Sequence, residues 1–471
     1  MTPPTGGSDD DLRAPLSAAG LPPSAVEEWA SSTPRETTAY EADTGLYGAF
    51  WSRSDRLFGS LPEKPKRNAA EAAAASAILS VARASRERFL VAHAGRVYDA
   101  ATAGRSRFLR ADELARHAAD LVPGLSPTDR QVTAEAKLDQ RDKDGVEVDQ
   151  GLLLAHVLAD SRTGLHLCHA SLLPRPESAE LAARFAREGC LDLGAARLQR
   201  QGNVVVLTAS NPRFLNAEDD TTLDLMEAAV DVANLDRASA IAVMRGGAVD
   251  HPRYAGKPVF GAGINLTHLY RGRIPFLWYL RRELGWMHKV LRGVATPERL
   301  PDDVQGVGVE KPWVAAVEAF AIGGHCQALL CMDYTIAAAD AFMTLPARKE
   351  GIIPGLANMR LPRFTGDRIA RQAIQYERRL PCDSPEGRLI CDEVVPAAEM
   401  DGAIRRVTAG LTSAGAVGAV GNRRAFRVAQ EPLDLFLRSC AVYAREQAYC
   451  HFSPALIDNL ERNWGAADRR L

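Results

Sequence analysis

Two stretches decide the fold: AFAIGGHCQALL at residues 319–330 and, upstream of it, FGAGINL at residues 260–266. The first follows WVAAV (313–317), an apolar, β-branched run that reads as a buried strand, and it leads into the apolar helix Cys326–Met332. Gly323 and Gly324 therefore open a helix. There the unpaired N–H groups and the helix dipole favour a negatively charged oxygen, and the lack of a Cβ lets a ligand approach the backbone. A glycine pair alone is explained by close helix packing. Two such segments in this order point to backbone that holds an anion.

Other phosphate-binding loops fit poorly. FGAGINL contains Gly-x-Gly, but the third glycine of a dinucleotide fingerprint would fall at Leu266, and the strand before the loop ends well upstream. The chain has no GxxxxGK[ST] and no GxSxG, which removes P-loop and α/β-hydrolase chemistry.

Around the two segments, strand and helix signals alternate. NVVVLT (203–208), IAVMR (241–245), WVAAV and YTIAA (334–338) read as strands, and Leu223, Met226, Val230 and Ala233 share one face of an intervening helix. Repeated strand–turn–helix units predict an α/β architecture. Upstream, Ile78, Val81, Ala82, Ser85, Phe89 and Ala92 recur at helical spacing, and 113–121 and 179–188 behave alike. The expected division is a flexible lead-in over 1–25, rich in Pro, Gly, Ser and Asp, an all-helical N-terminal domain over 26–200, an α/β core over 201–400 and a helical C-terminal segment over 401–471.

The bulk numbers narrow the partners. A formal charge of −2 gives no global basic field to attract nucleic acid, and no apolar run approaches the roughly 20 residues that span a bilayer. The polar, acidic start MTPPTGGSDDDLRAP is unlike a secretory signal. Eight cysteines without a CxxC read as reduced thiols of a cytoplasmic protein. His156, His166, Cys168 and His169 lack a matching distant pair, so no metal site is expected.

With LTASNPRFLNA, FGAGINL, EAFAIGGHCQALLCMDYTIAA and EGIIPG taken together, the chain resembles the crotonase (enoyl-CoA hydratase/isomerase) superfamily over roughly residues 200–400. The resemblance implies a crotonase-fold, ββα-repeat core that binds an acyl-CoA thioester. It also implies an oxyanion hole made by the backbone N–H groups of Ile264 and Gly324, with Gly323 beside them. The SNPRFLNA turn and the loop around His251–Tyr254 would line the CoA channel, with Arg213, Arg253 and Tyr254 as contacts.

Two departures matter. The glutamates that handle water and protons in the hydratases would fall at Gln327 and Ala347, and neither side chain exchanges a proton near neutral pH. Simple hydration is therefore not expected. The helical N-terminal half, the glutamine and RYAGKPVFGAGINLTHLYRGRIPFLWYLRRELG (253–285) are similar to the branch of cofactor-independent dioxygenases that act on arylacetyl-CoA thioesters, in the making of an arylglycine precursor of glycopeptide antibiotics.

That branch implies O2 as co-substrate and no metal or organic cofactor. Gln327 would join the oxyanion amides at the reacting centre. Glu218 and Arg282 would grip a dihydroxylated ring, and Ala347, Ile352 and Ile264 would wall an oxygen pocket. It further implies a homo-oligomer, a trimer or dimer of trimers. A crotonase-fold thioester hydrolase or isomerase, and a non-catalytic RNA-binding relative, remain as alternatives. Open at this level are the ring substitution, the base that removes the α-proton, and which of Arg281 and Arg282 turns inward.

Overall fold

The computed structural model describes residues 9–306 and 308–471. Seven strands lie side by side in chain order: Cys190–Asp192, Ala196–Gln201, Val204–Ala209, Ile241–Gly246, Trp313–Val317, Tyr334–Ala338 and Glu393–Val395. The first three pair antiparallel and the rest parallel. Residues of the central strand Trp313–Val317 are buried throughout, as expected where both faces of a parallel sheet are covered.

A smaller sheet supplies the second strand of two repeats. Phe320–Ile322 follows Trp313–Val317 almost directly and runs parallel to Phe342–Thr344, itself the continuation of Tyr334–Ala338. The bridge from Gly261 to Ala321 brings the upstream glycine loop to the same edge. These two units are thus strand, short strand, helix, the ββα repeat that the resemblance implied, while the two upstream units keep only isolated bridges in place of the second strand.

The expected boundaries need two corrections. Residues 1–8 of the lead-in lie outside the described residues, but the rest of 1–25 is not loose. Asp9–Ala18 and Pro23–Ser31 are helices, with Leu16, Leu21, Val26 and Trp29 in the core and the Trp29 indole N–H donating to Ser54 Oγ at 2.9 Å. Composition pointed to disorder, whereas the apolar spacing fixes two anchored turns. The helical N-terminal region also ends earlier than residue 200: after Ser178–Glu188 the hairpin Cys190–Asp192/Ala196–Gln201 joins the main sheet as its outer edge. Its second strand buries Ala196 and Leu198 and turns Arg197 and Gln199 outward, a half-exposed alternation too short to stand out as a strand.

Past residue 400 the chain is helical, as expected, in Met400–Thr412, Ala416–Gln430, Leu433–His451 and Pro454–Trp464. Leu433–His451 packs along Val148–Ala159 of the N-terminal region so closely that Gly151 has no room for a Cβ, which would lie 2.5 Å from that of Ala448. One continuous apolar core runs through the N-terminal helices, the sheet and the C-terminal helices.

Candidate active site

The two glycine segments meet backbone to backbone. Gly263 sits at φ +79°, and a Cβ there would lie 2.9 Å from the Ile322 carbonyl oxygen and 3.0 Å from the Gly324 nitrogen. Gly323, at φ +53°, would place a Cβ 3.5 Å from Gly263 Cα. A side chain at Gly263 would push the loops apart, whereas at Gly323 there is room and the left-handed backbone is what favours glycine. The carbonyl of Gly263 and the N–H of Asn265 are both taken by Glu218 backbone, at 2.7 and 2.8 Å, which leaves the N–H of Ile264 between them facing the other way. Gly324 is the first residue of the helix Gly324–Leu329 and so has no intrahelical acceptor. Among the described residues neither the Ile264 nor the Gly324 N–H donates to a protein acceptor.

His325 fixes this arrangement and was not singled out from the sequence. Its Nδ1 accepts the Gly263 N–H at 3.1 Å, and its ring fills the space a Cβ on Gly261 would need. Burial pushes the imidazole pKa down to about 4, so the ring stays neutral and able to accept.

Both free amides open on a cavity of about 30 Å3, which Ile264, Gly323, Gly324, Gln327, Arg282, Ala347 and Ile352 all line. A single water needs roughly 10–15 Å3 in the same measure, so small diatomics fit there without rearrangement. Seven of the residues expected at the site therefore face one space. Ala347 and Ile352–Pro354 also line a wider groove of about 560 Å3, forming a wall between the two.

Arg282, not Arg281, turns inward. Arg281 pairs with Asp224 at the surface. Arg282 Nε donates to both carboxylate oxygens of Glu218 at 2.9 and 3.0 Å, Nη2 to the Gly324 carbonyl at 2.7 Å, and Nη1 to Glu283 Oε1 and Gln327 Oε1, each at 2.9 Å. Burial works against its charge, but the Glu218 and Glu283 carboxylates outweigh that and leave its pKa raised. The pairs continue outward: Arg360 Nη1 donates to Glu283 Oε2 at 3.0 Å and is itself clamped by both oxygens of Glu431. Glu218 does not line the cavity; its carboxylate lies behind the oxyanion loop, against Arg282. With its carbonyl oxygen held by Arg282, Gln327 keeps its amide N–H2 as the end free to donate.

Arg213, Arg253 and Tyr254 stand apart from the cavity. Arg213 and Arg253 are exposed, lying 5.2 and 5.5 Å from the ring centroids of Phe214 and Tyr254. Tyr254 packs edge-on to Phe320, on the outer side of the FGAGINL loop. Trp278, Tyr279, Glu350 and Tyr443 are among the lining residues that the sequence reading did not single out. Glu350 begins the quoted EGIIPG, so its motif carried a signal. Tyr443 arrives on Leu433–His451, with nothing in the sequence to link it to the site.

Among the described residues one group of acidic and histidine side chains has ligand atoms within 4.8 Å: Asp219, Asp220 and His268. Asp219 already accepts from Asn211, Asn265 and Thr221, and His268 Nδ1 lies 2.6 Å from Asp220, so these contacts brace the turn beside the oxyanion loop. His166 and His169 are likewise engaged, the first with the Tyr98 hydroxyl and the Arg105 carbonyl, the second with the Thr296 carbonyl.

A pair of outward-turned amides at the seam of two ββα units is the feature around which enoyl-CoA hydratases and isomerases are built, and the chain belongs to that family, the crotonase superfamily. The enoyl-CoA hydratase/isomerase profile matches residues 303–430. A relative from Amycolatopsis orientalis, (3,5-dihydroxyphenyl)acetyl-CoA 1,2-dioxygenase, is 47% identical over 397 residues, 84% of this chain and 90% of the relative. The crotonyl-CoA hydratase of Syntrophomonas wolfei is 27% identical over 220 residues, 46% of this chain and 75% of that protein. Among solved structures, an enoyl-CoA hydratase from Mycobacterium avium subsp. paratuberculosis is 21% identical, covering 57% of this chain and 98% of that one, with a TM-score of 0.47.

Proposed function

We propose that the chain is a dioxygenase, working without metal or organic cofactor, that converts 3,5-dihydroxyphenylacetyl-CoA and O2 into 3,5-dihydroxyphenylglyoxylate and CoA. The observation that carries this is the convergence of two unpartnered N–H groups, Ile264 and Gly324, on a small cavity that is alkyl at Ala347 and amide at Gln327, where hydration would require two carboxylates. The likeness to the Amycolatopsis dioxygenase supports the choice of substrate.

A benzylic proton α to a thioester is acidic because the anion spreads into both the carbonyl and the ring. Two N–H groups aimed at the developing enolate oxygen lower the barrier further, each by roughly 3–4 kcal/mol in a dry site. The enolate passes one electron to O2, and the two radicals combine into a Cα peroxide. Its terminal oxygen attacks the thioester carbonyl, and the C–S bond breaks with CoA leaving as thiolate. Loss of the second α-proton with O–O cleavage then gives the keto acid. One thioester and one O2 thus account for every atom of keto acid and free thiol. Ala347, Ile352 and Ile264 offer alkyl walls to O2. Gln327 offers its amide protons to the substrate, and Arg282 lines the cavity with Glu218 behind it, fixing the guanidinium rather than meeting the ring hydroxyls itself. Exposed Arg213 and Arg253 suit the phosphates of the CoA tail.

The same proposal takes the protein as a cytoplasmic homo-oligomer, a trimer or dimer of trimers. Eight free cysteines and the exposed Val417, Phe426 and Val428 of Ala416–Gln430 support it, and light scattering after gel filtration tests the assembly. The function is tested by incubating the protein with 3,5-dihydroxyphenylacetyl-CoA plus chelator, under air and under nitrogen. Equal amounts of O2 consumed, thiol released and keto acid formed are expected under air, and none under nitrogen. Thiol release without O2 uptake would make it a hydrolase.

A further inference from the structure

The cavity holds one ionisable side chain that the chemistry above leaves idle. Glu350 closes the short helix Ala347–Glu350, is 8% exposed, and lines the same small space as Ile264 and Gly324. Every other acid at the site is neutralised: Glu218 and Glu283 by Arg282, and Glu283 again by Arg360. Among the described residues Glu350 has neither an ion-pair partner nor a hydrogen-bond donor. The groups that act on it are Tyr279 from Leu277–Arg282 and Glu377 at the end of Ala357–Tyr376, which is itself paired with Lys349 at 2.7 Å, while Tyr443 from Leu433–His451 lines the same cavity. From Pro454–Trp464 the neighbouring turn meets the neutral amides of Asn459 and Asn463. Among the described residues the one cation lining the cavity, Arg282, is fully engaged elsewhere.

A buried carboxyl without a partner costs stability, and an alkyl side chain would fill this corner more favourably, as Ala347, Ile352 and Ile353 do around it. Its placement is that of a base. Burial, with Glu377 adding, pushes its pKa up from 4.5 to about 7, where a carboxylate is strong enough to take a carbon-bound proton and still half ionised at neutral pH.

We propose that Glu350 is the general base that removes the α-proton of the bound thioester, a role that rests on reading the chain as an arylacetyl-CoA dioxygenase. The Cα–H bond breaks, the proton passes to a Glu350 carboxylate oxygen, and the electron pair moves onto the thioester oxygen between the N–H groups of Ile264 and Gly324. No electron is lost in this step. The carboxyl gives its proton up again when the CoA thiolate leaves as thiol.

The test is exchange of the α-hydrogens of 3,5-dihydroxyphenylacetyl-CoA into D2O under nitrogen, followed across pH, with O2 uptake in air alongside. In the wild type exchange should rise through a midpoint near 7 and level off. Glu350→Gln should lower it by roughly 10²–10⁴-fold and abolish the midpoint while the thioester still binds. Glu377→Gln should move the midpoint to lower pH. Exchange and O2 uptake at wild-type rate in Glu350→Gln overturns the base assignment alone. A wild type that neither exchanges nor consumes O2 overturns the dioxygenase reading and this proposal with it. Should the variant not fold, the wild-type profile decides, since exchange that is flat across neutral pH overturns the assignment.

Discussion

Replacing Gly263 by alanine strikes the oxyanion loop at its tightest point. The new Cβ would lie 2.9 Å from the Ile322 carbonyl and 3.0 Å from the nitrogen of Gly324, itself one of the two donors, and the residue would be held at φ +79°. The left-handed conformation alone costs an L-residue about 1–2 kcal/mol, and contacts this short cannot be kept, so the loop moves away from the helix start. Moving it takes the Ile264 N–H off the oxygen it serves, and one lost donor costs about 3–4 kcal/mol, two to three orders of magnitude in rate. Gly263→Ala should therefore lower α-hydrogen exchange by about 10²–10³-fold while lowering stability by only about 1–2 kcal/mol. Exchange in D2O under nitrogen at saturating thioester gives the first quantity and a urea unfolding curve the second. Exchange within a few-fold of wild type, or a loss no larger than the unfolded fraction explains, would refute the two-amide hole.

Ala347→Leu should fill the space beside Ile264 and Ile352, slowing O2 consumption while exchange under nitrogen persists; equal loss of both would show that the alkyl wall is not specific to oxygen. Gln327→Glu should yield no hydration of a crotonyl thioester, because Ala347 still leaves the second carboxylate position empty, and product formation by the single variant would show that another carboxylate of the cavity, Glu350, can serve in its place. Glu350→Gln should stabilise the fold in alkali: the folded carboxyl holds its proton up to about 7 and the unfolded one only to 4.5, so stability falls as pH rises between these values. Above both, burying the ion costs about 3 kcal/mol, which the variant should regain at high pH and not at low pH, read as a shift in urea midpoint.

The stretches that proved legible are those where backbone geometry leaves little choice of residue. Gly263 and Gly323 occupy positive φ against neighbouring backbone, so the two glycine segments announced their own juxtaposition. The four long inner strands were visible because burial on both faces demands unbroken apolar runs. Two- and three-residue strands such as Phe342–Thr344 and Leu380–Pro381 carry too few side chains for a period to appear. Within the site, residues set by local motif were found, and those set by tertiary approach were not. Tyr443 and the Glu283–Arg360–Glu431 chain depend on helices folding back from far along the sequence. His325 was quoted inside its motif, but its bond to the Gly263 amide exists only once the two loops meet.

The close packing of Leu433–His451 on Val148–Ala159 has a consequence for how the molecule is made. During synthesis the ribosome must extend the chain from residue 159 to residue 433 before the earlier helix can be covered, on the order of tens of seconds at ordinary elongation rates. Through that interval Val148–Ala159 offers an uncovered apolar stripe, the kind of surface on which nascent chains associate wrongly or recruit chaperones. Tyr443 travels on the covering helix. The wall of the reaction chamber is thus closed by a helix that emerges long after both glycine loops, and a nascent chain stalled short of it carries those loops but no sealed chamber.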